Sequence, residues 1–232
     1  MKILAVDTSG MTASVAIAED EKTIAQFSMN HKRTHSEKLL PMIDHVLKTA
    51  LWDIKDIDLY VVAKGPGSFT GLRIGVASVK ALAHASGKPV VSISSLAGLA
   101  ANCRVWDDTL VCPIMDARRG QVYCAVYENG EQRLPDSAIP LTELLAYISG
   151  RKTLFLGDGV DVHRETIVKN LGEDALFQPE QFRYQNAASL IKLGREAYQN
   201  GEALPYSQVV PGYLRVSQAE RERAERLKGE GK

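Results

Sequence analysis

The chain has 232 residues, 45% hydrophobic and 24% charged, enough for one large domain or two modest lobes with their own cores. Lysine plus arginine balances aspartate plus glutamate, 28 against 28, which excludes an overall basic footprint for nucleic acid but not a local patch or an RNA-binding partner. Cys103, Cys112 and Cys124 make neither a short-spaced metal pair nor an even disulfide framework, no apolar run approaches a membrane span, and Asp7 interrupts any secretory apolar region, so a reducing cytoplasm is the expected location.

"KILAVDTSGMTASVAIAEDEKTIAQFSMN" predicts three strands broken at "DTSG" and "EDEK". Thr34-His35-Ser36-Glu37 has the spacing of a capping box and opens a helix. That helix carries Leu39, Ile43, Val46 and Ala50 on one face, with Leu40 and Leu47 beside them, and Pro41 either kinks it or marks its first turn. "DLYVVAKG" reads as a buried strand, the stretch after Thr70 as a helix, and "GKPVVSIS" as another strand, which implies an α/β lobe with parallel pairing. "VCPIMDARRGQVYCAVYENGE" then repeats the opening plan, with Asp116 placed like Asp7. A helix in "LTELLAYIS", a strand in "TLFLGDG" and a helix in "NAASLIKLGREAYQNG" follow. Two similar halves predict a duplicated fold with a cleft, lobes 1–105 and 106–232, the second ending in a charged tail, "SQAERERAERLKGEGK", read as a solvated, fraying helix end.

Glycine turns that open helices often hold phosphate, and "AKGPGSFTGLRIGVASVKALA" poses that choice against a packing role. "GPGSFTG" does not fit the nucleophile-elbow pattern, and Ser9, Ser68, Ser95 and the cysteines lack a base and an orienting group in the sequence. His31 and His35 are four apart, but Lys-Arg-Thr lies between them with no glutamate base, so two solvated imidazoles are expected rather than zinc. Asp7, Thr8 and Ser9 form the best candidate nucleotide turn, weighed against simple turn capping by Asp7 and Asp116. "DARRGQ" and "LGDG" are weaker echoes of phosphate and adenosine turns.

"ILAVDTS", "THSEKLLPMID", "GPGSFTGLRIG" and the late "VVPGYLR" together resemble the bacterial TsaB (YeaZ) family, strongly over the first hundred residues. The resemblance implies a two-lobed actin/Hsp70/sugar-kinase-like (ASKHA) α/β fold with duplicated lobes. It also implies a non-catalytic role in making threonylcarbamoyladenosine in tRNA, with the paralogue TsaD as heterodimer partner and the ATPase TsaE joining them. The chain would pair with itself when alone, meet tRNA through the complex and not engage a membrane. It would hold no cofactor or metal of its own, leaving ATP or ADP to the partner complex. Where TsaD carries Asn-His-x-Glu-Gly-His, this chain reads "SISSLAGLA": Ser95, Ala97 and Leu99 replace the three metal-competent side chains.

On a helical wheel from Thr70 to Ser86, Leu72, Val76, Val79 and Ala83 form one apolar face and Ile74, Ala77, Ala81 and Ala85 a second. Gly71 and Gly75 lie between them, spaced for close approach of another helix, while Arg73, Lys80 and His84 share a polar stripe. A helix apolar nearly all round needs a second cover, from the same chain or from a partner helix pair, and the partner is favoured. The resemblance implies pairing through this helix and the one before it. The expected contact residues are Glu37, Leu40 and His45 in the first, with Gly67, Phe69, Thr70, Leu72, Arg73, Gly75, Val76 and Lys80 at the second. The rivals are a nucleotide hydrolase or kinase using Asp7 as its magnesium ligand, and a metallopeptidase, against which "SSLAGL" argues.

Overall fold

The structure is a computed structural model that describes residues 1–31, 35–105 and 107–215. Thr34 of the expected capping box and the charged tail from 217 lie outside them. Alternating and continuous apolar runs give β1 (Lys2–Asp7), β2 (Thr12–Glu19) and β3 (Lys22–Asn30) as an antiparallel meander. Then come α1 (His35–Thr49), β4 (Leu59–Gly65), α2 (Phe69–Ser86), β5 (Val90–Ser94) and the short α3 (Ser95–Ala100). β4 pairs parallel with β1 and β5 parallel with β4, so the first sheet runs β3-β2-β1-β4-β5. Pro41 sits inside α1 rather than in its first turn.

The second half repeats this plan strand for strand. β6 (Leu110–Asp116), β7 (Gln121–Glu128) and β8 (Glu131–Pro140) form the meander; α4 (Leu141–Tyr147), β9 (Thr153–Leu156), α5 (Gly159–Leu171), β10 (Ala175–Phe177) and α6 (Glu180–Arg183) follow. Its sheet runs β8-β7-β6-β9-β10, the first sheet's order with each strand replaced by its equivalent. Duplication is therefore a property of the topology, well beyond the short likeness between "ILAVD" and "CPIMD".

The expected division at residue 105 needs correction. The helix α7 (Ala187–Gln199) does not finish the second lobe but returns to the first. Its apolar stripe, Ala187, Leu190, Ile191 and Ala197, closes a buried cluster with Ile3, Ala5, Ala16, Leu59, Val61 and Val91 on the face of the first sheet opposite α1 and α2. An amphipathic helix packs wherever an uncovered apolar sheet face exists, and the first sheet has two. Gly194 allows the fit, since a Cβ there would collide with the Val61 side chain. Leu204 then bridges to Val90, and Val209 is 1% exposed in the cluster beneath α2. The first lobe is thus built from both ends of the chain.

Candidate functional site

β1 delivers Asp7 to the turn that continues through Thr8, Ser9 and Gly10. The Asp7 carboxylate is 1% exposed, and its Oδ1 accepts the Ser9 amide at 2.9 Å and the Ser9 hydroxyl at 2.6 Å. Burial pushes this carboxyl up to about 6, outweighing the downward pull of the two Ser9 bonds. In the second lobe Asp116 does the same: its Oδ1 accepts the Arg118 amide at 2.9 Å. Both aspartates cap turns at the ends of equivalent strands.

The first turn is fastened to two helix starts. Thr8 Oγ1 donates to the Gly71 carbonyl at 2.8 Å, the Ser68 amide donates to the Ser9 carbonyl at 2.7 Å, and His35 Nε2 lies 2.9 Å from the Gly10 carbonyl. Ser68 caps α2 by accepting from the Gly71 amide. A Cβ at Gly71 would strike the Thr8 carbonyl, one at Gly75 the Thr8 hydroxyl, and one at Gly67 the Ser9 carbonyl. The glycine run therefore lets α2 lie against its own chain's turn. This corrects the expectation that Gly71 and Gly75 admit a foreign helix.

Among the expected contact residues, Leu72, Gly75 and Val76 are buried within the first lobe, and these three are withdrawn from the outer surface. Leu72, Val76, Val79 and Ala83 form the inner face of α2. The opposite stripe, Thr70, Arg73, Ala77, Ala81 and Ala85, is exposed, with Ile74 half-buried. The helix is not buried all round. On α1, Glu37, Leu40 and His45 face outward, Leu40 at 54% exposure, while Leu39, Met42, Ile43, Val46 and Leu47 are buried. Phe27 on β3 meets the His45 ring edge-on at 5.6 Å.

The flank of α2 does have a same-chain cover. Lys80 Nζ donates to the Val209 carbonyl at 2.9 Å, His84 lies against the Tyr206 ring at 4.5 Å, and the Phe69 and Tyr213 rings stack at 4.4 Å. Arg73 Nε donates to the Tyr213 hydroxyl at 3.0 Å, and its guanidinium sits 4.0 Å from the Phe69 ring centre. Phe69, Arg73 and Lys80, three of the expected partner contacts, are thus engaged by residues 206–213. Sequence reasoning used "VVPGYLR" as a likeness but had no signal for where it lands.

Between the lobes lies a cleft of 1040 Å³ whose wall includes Ser9, Phe69, Arg73, Asp116, Arg118 and Arg215. Of the three expected nucleotide residues only Ser9 lines it; Asp7 and Thr8 lie behind the turn. Asp158 reaches the cleft, its Oδ1 accepting the Asp116 amide at 3.3 Å, and burial raises its carboxyl to about 6. In "LGDG", a Cβ on Gly157 or Gly159 would press on Ile114 backbone, so these glycines seat α5 on β6.

His35 is the first residue of α1 and His31 is exposed beyond the end of β3. Among the described residues no three His, Cys, Asp or Glu side chains converge so as to hold a metal ion. In "SISSLAGLA", Ser95 and Leu99 are buried in α3, packed towards β6 and β7. Burial raises the Cys103 thiol to about 11 and Cys124 to about 12, the state of an unactivated cysteine. Among the described residues no helix is long and apolar enough to cross a membrane.

The family model described as "TsaD: tRNA N6-adenosine threonylcarbamoyltransferase" matches residues 22–223. The tRNA threonylcarbamoyladenosine biosynthesis protein TsaB of Bacillus subtilis (strain 168) is 38% identical over 226 residues, 95% of this chain and 96% of that protein. The solved structure of YeaZ from Pseudomonas aeruginosa superposes with a TM-score of 0.74 at 29% identity, covering 92% of this chain and 99% of that one. An inorganic polyphosphate/ATP-glucomannokinase from Arthrobacter sp. strain KM, 12% identical, superposes at 0.51 over 86% of this chain and 99% of its own, a likeness of fold alone. The architecture is the duplicated, two-lobed actin/Hsp70/sugar-kinase-like fold, and the chain belongs to the TsaB (YeaZ) family of tRNA threonylcarbamoyladenosine biosynthesis proteins.

Proposed function

We propose that this protein is a non-catalytic subunit of the threonylcarbamoyladenosine machinery that docks a TsaD-family transferase on the outward faces of α1 and α2. The observation that carries this reading is the exposed stripe Ala77, Ala81 and Ala85 on a helix whose inner face is fully packed, with Leu40 exposed on the adjoining α1. Small side chains four apart let a second helix pair approach closely, and a stable contact of this kind buries about 800 Å² per partner. On this reading the same surface pairs two copies when no transferase is present. A TsaE-type ATPase and tRNA join through the complex, and ATP or ADP belongs to that assembly.

The turn that a stand-alone hydrolase would need supports the accessory role. Asp7 is 1% exposed, its Oδ1 is taken by the Ser9 amide and hydroxyl, and it does not line the cleft, which disfavours it as a magnesium ligand for this chain. The test is the solution mass by light scattering, alone and mixed with the TsaD of the same organism. Wild type should form a self-pair that converts to a one-to-one complex. Ala81→Trp, which alters an exposed position, should lose both while its melting temperature stays put. An Ala81→Trp chain that binds TsaD with unchanged affinity would remove the α1/α2 surface from the account.

A further inference from the structure

The segment after α7 is held in two very unequal ways. Its first part is rooted in the first lobe: Leu204 pairs with Val90, Val209 is buried, Lys80 grips the Ser207 and Val209 carbonyls, and the Gly212 amide donates to the Lys64 carbonyl at 2.6 Å. Gly65 makes that approach feasible. It has a φ of 118°, and a Cβ there would collide with the Gly212 carbonyl. The second part runs along the start of α2 into the interlobe cleft. Tyr213 and Leu214 are 40% and 42% exposed, and both line the interlobe cleft. Arg215 crosses to the other side, where its guanidinium donates to the Ala117 carbonyl at 2.5 Å.

The receiving turn is under strain. Arg118 and Arg119 have φ of 62° and 57°, two successive non-glycine residues in the left-handed region, followed by Gly120 at 71°. The bonds from the Arg118 amide to Asp116 Oδ1, from the Ala117 amide to the Gln121 carbonyl and from the Gln121 amide to the Arg118 carbonyl shape it from within. From outside, the Leu141 amide holds the Gly120 carbonyl within the same lobe, and Arg215 reaches it along the segment rooted in the first lobe.

We propose that residues 212–215 are a latch that ties the 116–120 turn of the second lobe to the flank of α2 and so sets the opening of the interlobe cleft. Tyr213 is its hinge pin: stacked on Phe69 and bonded to Arg73, it converts a movement of the α2 start into a movement of Arg215. By linkage, whatever engages Phe69 and Arg73 loosens the cleft, and whatever widens the cleft frees Phe69 and Arg73. The latch is a property of the free chain and does not rest on the docking proposed for α1 and α2.

The experiment measures interlobe distance in the isolated full chain, with spin labels at Lys22→Cys and Lys169→Cys in a Cys103→Ser background. Wild type should give one narrow distribution. Arg215→Ala and Tyr213→Ala should each shift it to longer distances and broaden it, and the double variant should go no further than either single, because the two act in series. Arg215→Lys, which keeps a cationic donor, should restore most of the wild-type distribution. Amide exchange at Gln121, whose N–H bonds the Arg118 carbonyl across the turn, should rise roughly tenfold in Arg215→Ala, the scale of one lost charge-assisted bond. An Arg215→Ala distribution superimposable on wild type, with Gln121 exchange unchanged, overturns the latch.

Discussion

Asp7→Asn separates a structural turn from a chemical one and carries a worked magnitude. The substitution keeps an oxygen to accept the Ser9 amide and hydroxyl while removing the buried charge. A folded pKa raised from 3.8 to about 6 means the native state binds the proton more tightly than the unfolded chain. Asp7 therefore favours the fold below its unfolded pKa, and that advantage is lost as pH rises through about 6. A shift of about two units corresponds to about 3 kcal/mol of penalty at pH 7.5, at about 1.4 kcal/mol per unit. The buried carboxamide has its own desolvation cost, so the net gain for Asp7→Asn should be about 1–3 kcal/mol. By urea denaturation at pH 7.5 the variant midpoint should exceed wild type, and at pH 4.5 the difference in stability should be smaller by about 2 kcal/mol, the part of the penalty titrated between the two pH values. Heating should show the same order, about 2–4 °C per kcal/mol for a chain of this size. A variant that is less stable at pH 7.5, or equally displaced at both pH values, would refute the argument that burial dominates this carboxyl. Saturable ATP hydrolysis by the isolated chain, lost in Asp7→Asn, would instead favour the rival enzyme.

Gly75→Ala should lower stability by about 1–3 kcal/mol, read from the urea midpoint, because the new methyl meets the Thr8 hydroxyl. The larger Gly75→Leu should fail to fold properly, which near-ultraviolet circular dichroism would show. Thr8→Val, similar in shape, should cost about 1–2 kcal/mol for the lost bond to the Gly71 carbonyl and should speed amide exchange in the first turns of α2. Unchanged exchange there would detach the turn from the helix.

Much of the fold was legible because period and punctuation agree. β1, β2 and β3 alternate or run apolar between "DTSG" and "EDEK", and Leu39, Ile43 and Val46 recur at helical spacing. β8 was not legible: "EQRLPDSAIP" carries two prolines and charged residues, tolerable on an edge strand yet unlike one in sequence. α5 was hidden by mixed polarity, with only Gly159, Val160 and Ile167 buried. The two faces of α2 were both visible on the wheel, but both are apolar, and only the position of β4 and β5 decides which is inner. The role of Gly71 and Gly75 depended on Thr8, more than sixty residues away, which no local pattern connects. α7 was recognised as a helix and placed in the wrong lobe, since periodicity gives a face but not its address.

The return of α7 and Val209 to the first sheet has a consequence for synthesis. A ribosome that has released only the first hundred residues has exposed every strand of that sheet, yet one sheet face, with Ile3, Ala5, Leu59 and Val61, still waits for residues made nearly a hundred positions later. The second lobe is in effect an insertion that can complete its own meander and crossovers while the first is held open. The order of maturation is therefore inverted: the lobe translated second closes first, and the lobe that carries α1 and α2 is sealed last, by the helix and strap that follow.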